Sequence, residues 1–488
     1  MSAKKTLTTR YFELRAKSAR ANWKSIRLGL FTSLLVLVPF SKYPYIALPA
    51  FDFSSFRIGF YQLLAGVFIL FCIWPTIKQL DSLYKQNKVA FISLISLAVV
   101  AIIGMFRAIY FARSALLVIS ILFLLALVLV TWWFMSHEFS KGYFKPIIEY
   151  FLMVGIAFSL IGIFQFVVVT LSGESFGILC KNCTSAIFGF PRINGLAAEP
   201  QFYANSLLPV FFVSVGWAYI KKTKLAVWAL TLSSLAITLS FSRGAFVAVG
   251  IGLFTYLVLI LIGKKQDLKQ LGQVILLIIL CFIAGLSLLI TSATFKYRST
   301  PNISYNTLVS MVDHLTLGVI DIQPKLELKS VVMADTFTPP GLITSSTTDR
   351  LGAAQLALKA WRKSTYNVAF GVGAGNLGPY TVKNIDTTAP DNLTVYIYYV
   401  LVLSELGLVG LIAFVGIYLS GIFAFTKRYF KSKNSALYMT VTGLGVAFLT
   451  QYSFFGTYIN TVYIWLWAGI ILGLAGLPTA KKLYNRKS

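Results

Sequence analysis

Three arginines and two carboxylates stand out in a chain that is 57% hydrophobic and only 12% charged. Arg192 and Glu199 lie in "GFPRINGLAAEPQFYANS", residues 189–206. Arg243 lies in "LSFSRGAFVAVG", residues 239–250, Arg350 in "DRLGAAQLALKAWRKS", and Glu405 in "VLSELGLVGL". Guanidinium groups hold phosphate with forked, charge-assisted hydrogen bonds. A carboxylate can orient or deprotonate an acceptor hydroxyl. Together these groups suit work on a lipid-borne phosphate. Other chemistries find less footing. The C-x-x-C of Cys180 and Cys183 has no second Cys or His pair to complete a zinc site, and reads as a local disulfide or an inert pair. "GVGAGNLGPY", residues 371–380, is glycine-rich, but no strand precedes it and no Gly-Lys-Ser/Thr follows. It reads as a flexible or close-packed turn and not as a nucleotide loop.

What positions these residues is a membrane bundle. With 488 residues and a mean hydropathy of +0.77, the chain is not a soluble globular protein. Apolar runs near bilayer length recur throughout, such as "LLVISILFLLALVLVTWWF" at 116–134. In lipid the backbone must satisfy its own hydrogen bonds, so such runs read as helices. The expected fold class is all-α and polytopic, with about twelve transmembrane helices. The spans expected are 28–48, 57–76, 88–106, 114–135, 147–170, 201–220, 225–241, 244–262, 272–293, 406–425, 436–454 and 460–477. The first reads as a retained start-anchor, since no small-residue cleavage site follows it. Cys72 and Cys281 fall inside spans and act as small apolar residues.

Positive charge orients the bundle. Of 43 lysines and arginines, 27 fall in the two tails and the loops of one side, against 7 in short segments of the other and 9 in one long loop. By the positive-inside rule both termini face the cytoplasm, in a multi-pass protein of the cytoplasmic membrane. The same asymmetry explains the net charge of +27 without nucleic acid. The chain therefore divides into a basic cytoplasmic tail (1–27), nine helices with an outer loop at 171–200 (28–293), a long extracytoplasmic loop (294–405), and three helices with a cytoplasmic tail (406–488).

The outer side then gathers the chemistry. Pro200 opens the helix after "GFPRINGLAAE", leaving Glu199 at its N-terminus, where the dipole favours a carboxylate and suits it to orienting a hydroxyl. Gly195 permits a tight chain path beside Arg192. Arg243 sits in a very short turn flanked by Ser242 and Gly244. In the long loop, Leu351, Ala354, Leu358 and Trp361 recur at helical spacing behind Thr348 as cap. They predict an amphipathic helix lying on the outer membrane face. Residues 392–405 read as an interfacial helix with Tyr396, Tyr398 and Tyr399 at headgroup level, and Glu405 at the outer boundary. An ion-coupled transporter would instead carry ionisable groups near the midplane. A lipid-linked oligosaccharide flippase and a non-catalytic scaffold remain alternatives at this stage.

The order "PRINGLAAEP", "SFSRGA", "DRLGAAQLALKAW…GVGAGN", "NLTVYIYYVLVLSELGLVGL" resembles the O-antigen polymerase and O-antigen ligase superfamily over about residues 189–425. The resemblance implies a C-type membrane glycosyltransferase needing neither metal, cofactor nor nucleotide sugar. Its donor would be an oligosaccharide on undecaprenyl diphosphate, its acceptor a glycan or lipid-linked glycan, and its neighbours other polysaccharide-assembly membrane proteins. By the resemblance Arg243 and Arg350 bind the diphosphate and Glu405 has a structural or helix-orienting role; the position of Arg192 on the same side adds it to the diphosphate site. Glu199, Arg243 and Arg350 form the catalytic set, and Asn392, Tyr396 and Glu405 support it. The chain departs from the pattern at one point: ligases of the family carry a histidine shortly before the glutamate, where this sequence has Asp391, Asn392 and tyrosines. His314 lies far upstream and His137 on the cytoplasmic side. The departure tilts the expectation toward a polymerase, or a divergent member of unknown acceptor.

Overall fold

The computed structural model describes residues 7–40, 45–48, 56–139, 141–172, 176–178, 185–187, 190–197, 199–221, 223–263, 268–296, 303–316, 341–393, 395–431, 435–454 and 462–476. The protein is mostly helical. Helix α1 (Leu7–Val36) leads through a 3-10 turn (Val38–Phe40) to a hairpin of β1 (Tyr45–Leu48) and β2 (Phe56–Gly59), paired antiparallel with Tyr45 opposite Gly59. Then come α2 (Phe60–Ile77), α3 (Leu80–Gln86), α4 (Lys88–Met105), and α5 (Phe111–Trp133) running into a π turn (Phe134–Glu138). After α6 (Lys141–Ser172), a second hairpin pairs β3 (Ser185–Ile187) with β4 (Phe190–Arg192). The next four helices are α7 (Pro200–Lys221), α8 (Lys224–Ser240), α9 (Arg243–Gly263) and α10 (Leu268–Lys296). The long connection holds α11 (Ile303–Thr316), α12 (Gly341–Arg362), α13 (Thr365–Phe370) and α14 (Leu377–Asn384). Helices α15 (Tyr398–Lys431), α16 (Ser435–Gln451) and α17 (Val462–Gly476) close the bundle.

Among the described residues, seven helices are long and apolar enough to cross a membrane: α2, α4, α5 with its π turn, α6, α9, α10 and α15. Helices α8, α16 and α17 are apolar but shorter. A helix hydrophobic all round belongs in the middle, and α17 is buried from Val462 to Leu474. Helices near the periphery show one apolar face outward, as Leu70 and Phe254 do. Local chemistry sets the ends: Asn87 caps α4 by accepting from Ala90 N–H (3.1 Å), and Thr223 caps α8.

The structure corrects several boundaries. The first span does not run to residue 48; α1 begins at Leu7, inside the expected basic tail, and ends at Val36. Pro39 follows at once, and a proline supplies no helix N–H. The stretch 294–405, where an amphipathic helix is expected, holds four helices, α11 to α14. Helix α12 starts at Gly341, so Thr348 is not its cap. Its buried face is Ala354, Ala357 and Ala360, while Leu351 is 53% exposed. Small residues at spacing three let α12 lie close against α15 rather than only on a membrane surface. The described residues of 392–397 are not helical, and Tyr398, expected at headgroup level, is fully buried against Phe414 and Tyr452. Cys180 and Cys183 and the side chains of Arg350 and His314 lie outside the described residues.

Candidate functional site

The motif around Arg192 is built by two side chains from neighbouring helices. Gln165, in the largely apolar second half of α6, accepts at Oε1 from the N–H groups of Asn194 (3.0 Å) and Gly195 (2.8 Å). Its Nε2 donates to Asn194 Oδ1 (2.6 Å) and to the Phe176 carbonyl (2.7 Å). Asn194 in turn donates to the Ala197 carbonyl (2.7 Å). A buried amide N–H left unpaired costs about 1–3 kcal/mol, so this clamp specifies the loop's path. Gly195 has φ +51°, and a Cβ there would strike the ring of Tyr203. Tyr203 stands on α7 and donates to the Phe158 carbonyl of α6 (3.1 Å). The expected tight path at Gly195 is therefore present, with Tyr203 as its cause.

That clamp delivers Arg192 to the next element. Its Nε donates to the carbonyl of Ser240, the last residue of α8, at 3.1 Å. The backbone of Ile193 also reaches the Leu239 carbonyl (3.4 Å). Phe241 then takes the left-handed conformation, φ 46° and ψ 47°, which folds α8 back into α9 within two residues. Arg243 is the first residue of α9 and is half-buried. Arg192 and Arg243 thus belong to one end of the bundle, joined through a single turn.

The start of α7 lies at the same end. Pro200 opens the helix, as its sequence position predicts, and Glu199 is exposed, its carbonyl accepting from Tyr203 N–H (3.1 Å). Gln201 Nε2 donates to the Phe454 carbonyl just beyond α16 (2.5 Å). A Cβ on Gly244 would come 2.9 Å from Phe454 Cβ and 3.1 Å from Gln451 Nε2, so the α8–α9 turn packs on the end of α16. The beginning of α15 arrives there too: Tyr398 N–H donates to the Tyr452 carbonyl (2.9 Å), and Tyr399 Oη to the Leu449 carbonyl (2.5 Å).

Glu405 has a different setting from the one its sequence suggests. It is 4% exposed, two residues before a break in α15 at Gly407, where φ is 68° and ψ −172°. The break deprives the carbonyls of Ser404 and Glu405 of their helical partners. The glycine loop supplies replacements, with Val372 N–H donating to Ser404 O and Gly373 N–H to Glu405 O, both at 2.9 Å. Asn376 fixes the loop from within, donating to the Val372 carbonyl (2.6 Å) and accepting from Ile109 N–H (2.9 Å). Residues 371–376 are a close-packed turn that caps a broken helix. Non-helical backbone at membrane depth is tolerated when protein encloses it. A Cβ on Gly104, in the last turn of α4, would meet Gly373 Cα at 3.0 Å. The break thus lies at the bundle's end and not at its middle.

The remaining expected residues divide. Asn392 and Tyr396 are exposed in the segment before α15. Next to Asn392, Asp391 offers its backbone carbonyl to Arg113 Nη1 (3.1 Å). Further upstream, Asp386 accepts from the N–H and hydroxyl of Thr388 (2.9 and 2.6 Å), which hold its carboxyl below the usual carboxylate range. Arg350 is in α12, which packs on α15. Sequence reasoning missed Gln165, Gln201 and Gln451, whose one signal is an amide within or at an end of an apolar helix. It also missed the opposite end, where Arg27 forks onto Glu138 (2.8 and 2.6 Å) beneath the ring of Trp133. Compared with models of known protein families and with curated proteins, the chain gives no match.

Proposed function

We propose that this chain is a membrane glycosyltransferase that polymerises or ligates a glycan carried on undecaprenyl diphosphate at the outer face of the cytoplasmic membrane. The observation carrying the reading is the meeting of Arg192, the Arg243 turn and the Glu199-bearing head of α7 at one end of an apolar bundle. The charge bias of the sequence assigns that end to the outside. It is the depth at which a flipped lipid diphosphate presents its charge.

In this reading Arg192, Arg243 and Arg350 hold the diphosphate. The bond from the sugar's anomeric carbon to the diphosphate oxygen breaks, and the electron pair leaves with the lipid diphosphate. The acceptor hydroxyl oxygen forms the new glycosidic bond, and its proton passes to the departing diphosphate. Glu199 orients that hydroxyl, and Asn392 and Tyr396 flank its approach. Glu405 acts structurally, as its backbone carbonyl carries the glycine loop. The position of the α15 break at the bundle's end supports an enzyme over a transporter, which would place a broken helix at the midplane.

Purified protein assayed with synthetic undecaprenyl-diphosphate glycan tests this. Hydrogen bonds to charged groups are worth roughly 1.5–3 kcal/mol, so Arg243→Ala and Arg350→Ala should each lose about tenfold or more in donor use. Lysine should rescue only in part, because it lacks the fork. If both alanine variants fold and turn over donor at wild-type efficiency, the placement of the site is wrong. Glu199→Gln with normal turnover would leave that residue only a role at the helix end.

A further inference from the structure

At the arginine end of the bundle, two buried amides make no hydrogen bond of normal geometry. Asn205 of α7 and Gln451 of α16 are both 0% exposed. In each, both the amide nitrogen and the amide oxygen lack a hydrogen-bond partner. No other described residue has both of its polar atoms orphaned in this way. The pair shares one place in the fold. Gln201 reaches the Phe454 carbonyl at the rim, and Asn205 and Gln451 lie about one turn deeper on the same two helices. Two more orphaned hydroxyls join them: Ser242, in the α8–α9 turn beside Arg243, and Tyr463, which faces Asn205 at the head of α17 without a hydrogen bond of normal geometry.

Buried polar groups are almost always satisfied, and a cluster of four that is not calls for an occupant. Its chemistry is specific. No charged group is in the cluster, so it does not select an ion. Each amide both donates and accepts, which matches a sugar hydroxyl that does the same. A few placed polar groups in a buried, otherwise apolar setting is the make-up of a small-molecule site.

We infer that Asn205, Gln451, Ser242 and Tyr463 form a subsite for an uncharged, polyhydroxylated group, a sugar residue of the glycan. The inference rests on the proposed glycosyl transfer for the way the sugar arrives, and the Gln201–Phe454 hydrogen bond lies about one turn nearer the rim than the two amides. The strain of four unpaired groups favours opening, and the sugar hydroxyls relieve it.

The test uses the full chain in lipid nanodiscs, which avoids glycoside detergents. The probe is the free oligosaccharide released by mild acid from the host's lipid-linked glycan. Near-isosteric apolar variants, Asn205→Leu and Gln451→Met, remove unpaired amides. They should melt at or above the wild-type temperature. Wild type should be stabilised by the oligosaccharide, and each variant should bind it roughly tenfold more weakly. Variants that melt clearly lower would show the amides to be structural and would overturn the inference. So would a wild type indifferent to the oligosaccharide, or variants that bind it equally well. The two readings fail separately. Oligosaccharide binding without any donor turnover sinks the enzyme and leaves the subsite. Normal turnover with unchanged acceptor KM in both variants sinks the subsite and leaves the enzyme.

Discussion

Arg192 grips the carbonyl of Ser240 at 3.1 Å, tying a loop hairpin to the turn that carries Arg243. The carbonyl ending α8 is an acceptor freed by the helix terminus, and Arg192 satisfies it. One guanidinium nitrogen thereby fixes the spacing of two cations. Arg192→Lys keeps the charge and loses this directional bond. Donor kcat/KM should fall about tenfold with only a small change in melting temperature, measured on the purified protein.

Gln165 is the support for that arrangement. Gln165→Ala strands the N–H groups of Asn194 and Gly195 in a buried place, at about 1–3 kcal/mol each. Hydrogen exchange across residues 190–197 should accelerate strongly while the exchange of α17 stays slow. Unchanged protection of the loop would mean that Tyr203 alone holds it.

The glycine clasp at the α15 break makes a sharper demand. A Cβ on Gly371 would collide with the Glu405 carbonyl, and one on Gly407 with the Ala369 carbonyl; both glycines also have positive φ. Backbone cannot yield as a side-chain tip can. Gly407→Ala and Gly371→Ala should each cost about 3 kcal/mol or more, read as a fall in melting temperature or failure to accumulate. Gly352→Ala is the control: its Cβ meets nothing within 4 Å in α12, so it should be neutral or stabilising by up to about 1 kcal/mol.

At the other end, Arg27 and Glu138 form a forked pair with side chains only 14% and 17% exposed. Removing either partner strands the other in a half-dry place. Arg27→Met and Glu138→Gln should each destabilise by about 2 kcal/mol, below the 3–5 kcal/mol of a fully buried pair. The double variant should recover much of the loss. Additive losses in the double-mutant cycle would deny the coupling.

Sidedness can be read with thiols. A cysteine at exposed Lys383 should react with an impermeant reagent in intact cells whose outer barrier is permeabilised, whereas one at exposed Lys85 should react only after lysis. The reverse pattern would invert the bundle and remove the proposed site from the outer leaflet.

Much of the helical frame was legible in the sequence, because lipid forces backbone hydrogen bonds to close within the segment and long apolar runs have one way to do it. Thus 88–106 and 244–262 anticipate α4 and α9 to within a residue or two. Pro200 marked the start of α7 for an equally local reason. The first span was misjudged because the proline after α1 competes with hydrophobicity, and short hairpins carry little periodic signal. Other features were illegible for a physical reason: they depend on residues distant in sequence meeting in space. The Gln165 clamp spans 29 residues, Gly373 satisfies Glu405, and Asn205 and Gln451 share a depth only because α7 and α16 run side by side. Composition fixed that the chain lies in a membrane and where its charges fall along it. The tertiary packing alone decided which arginines share a turn, that Glu405 is enclosed by a glycine loop, and which buried amides were left without partners.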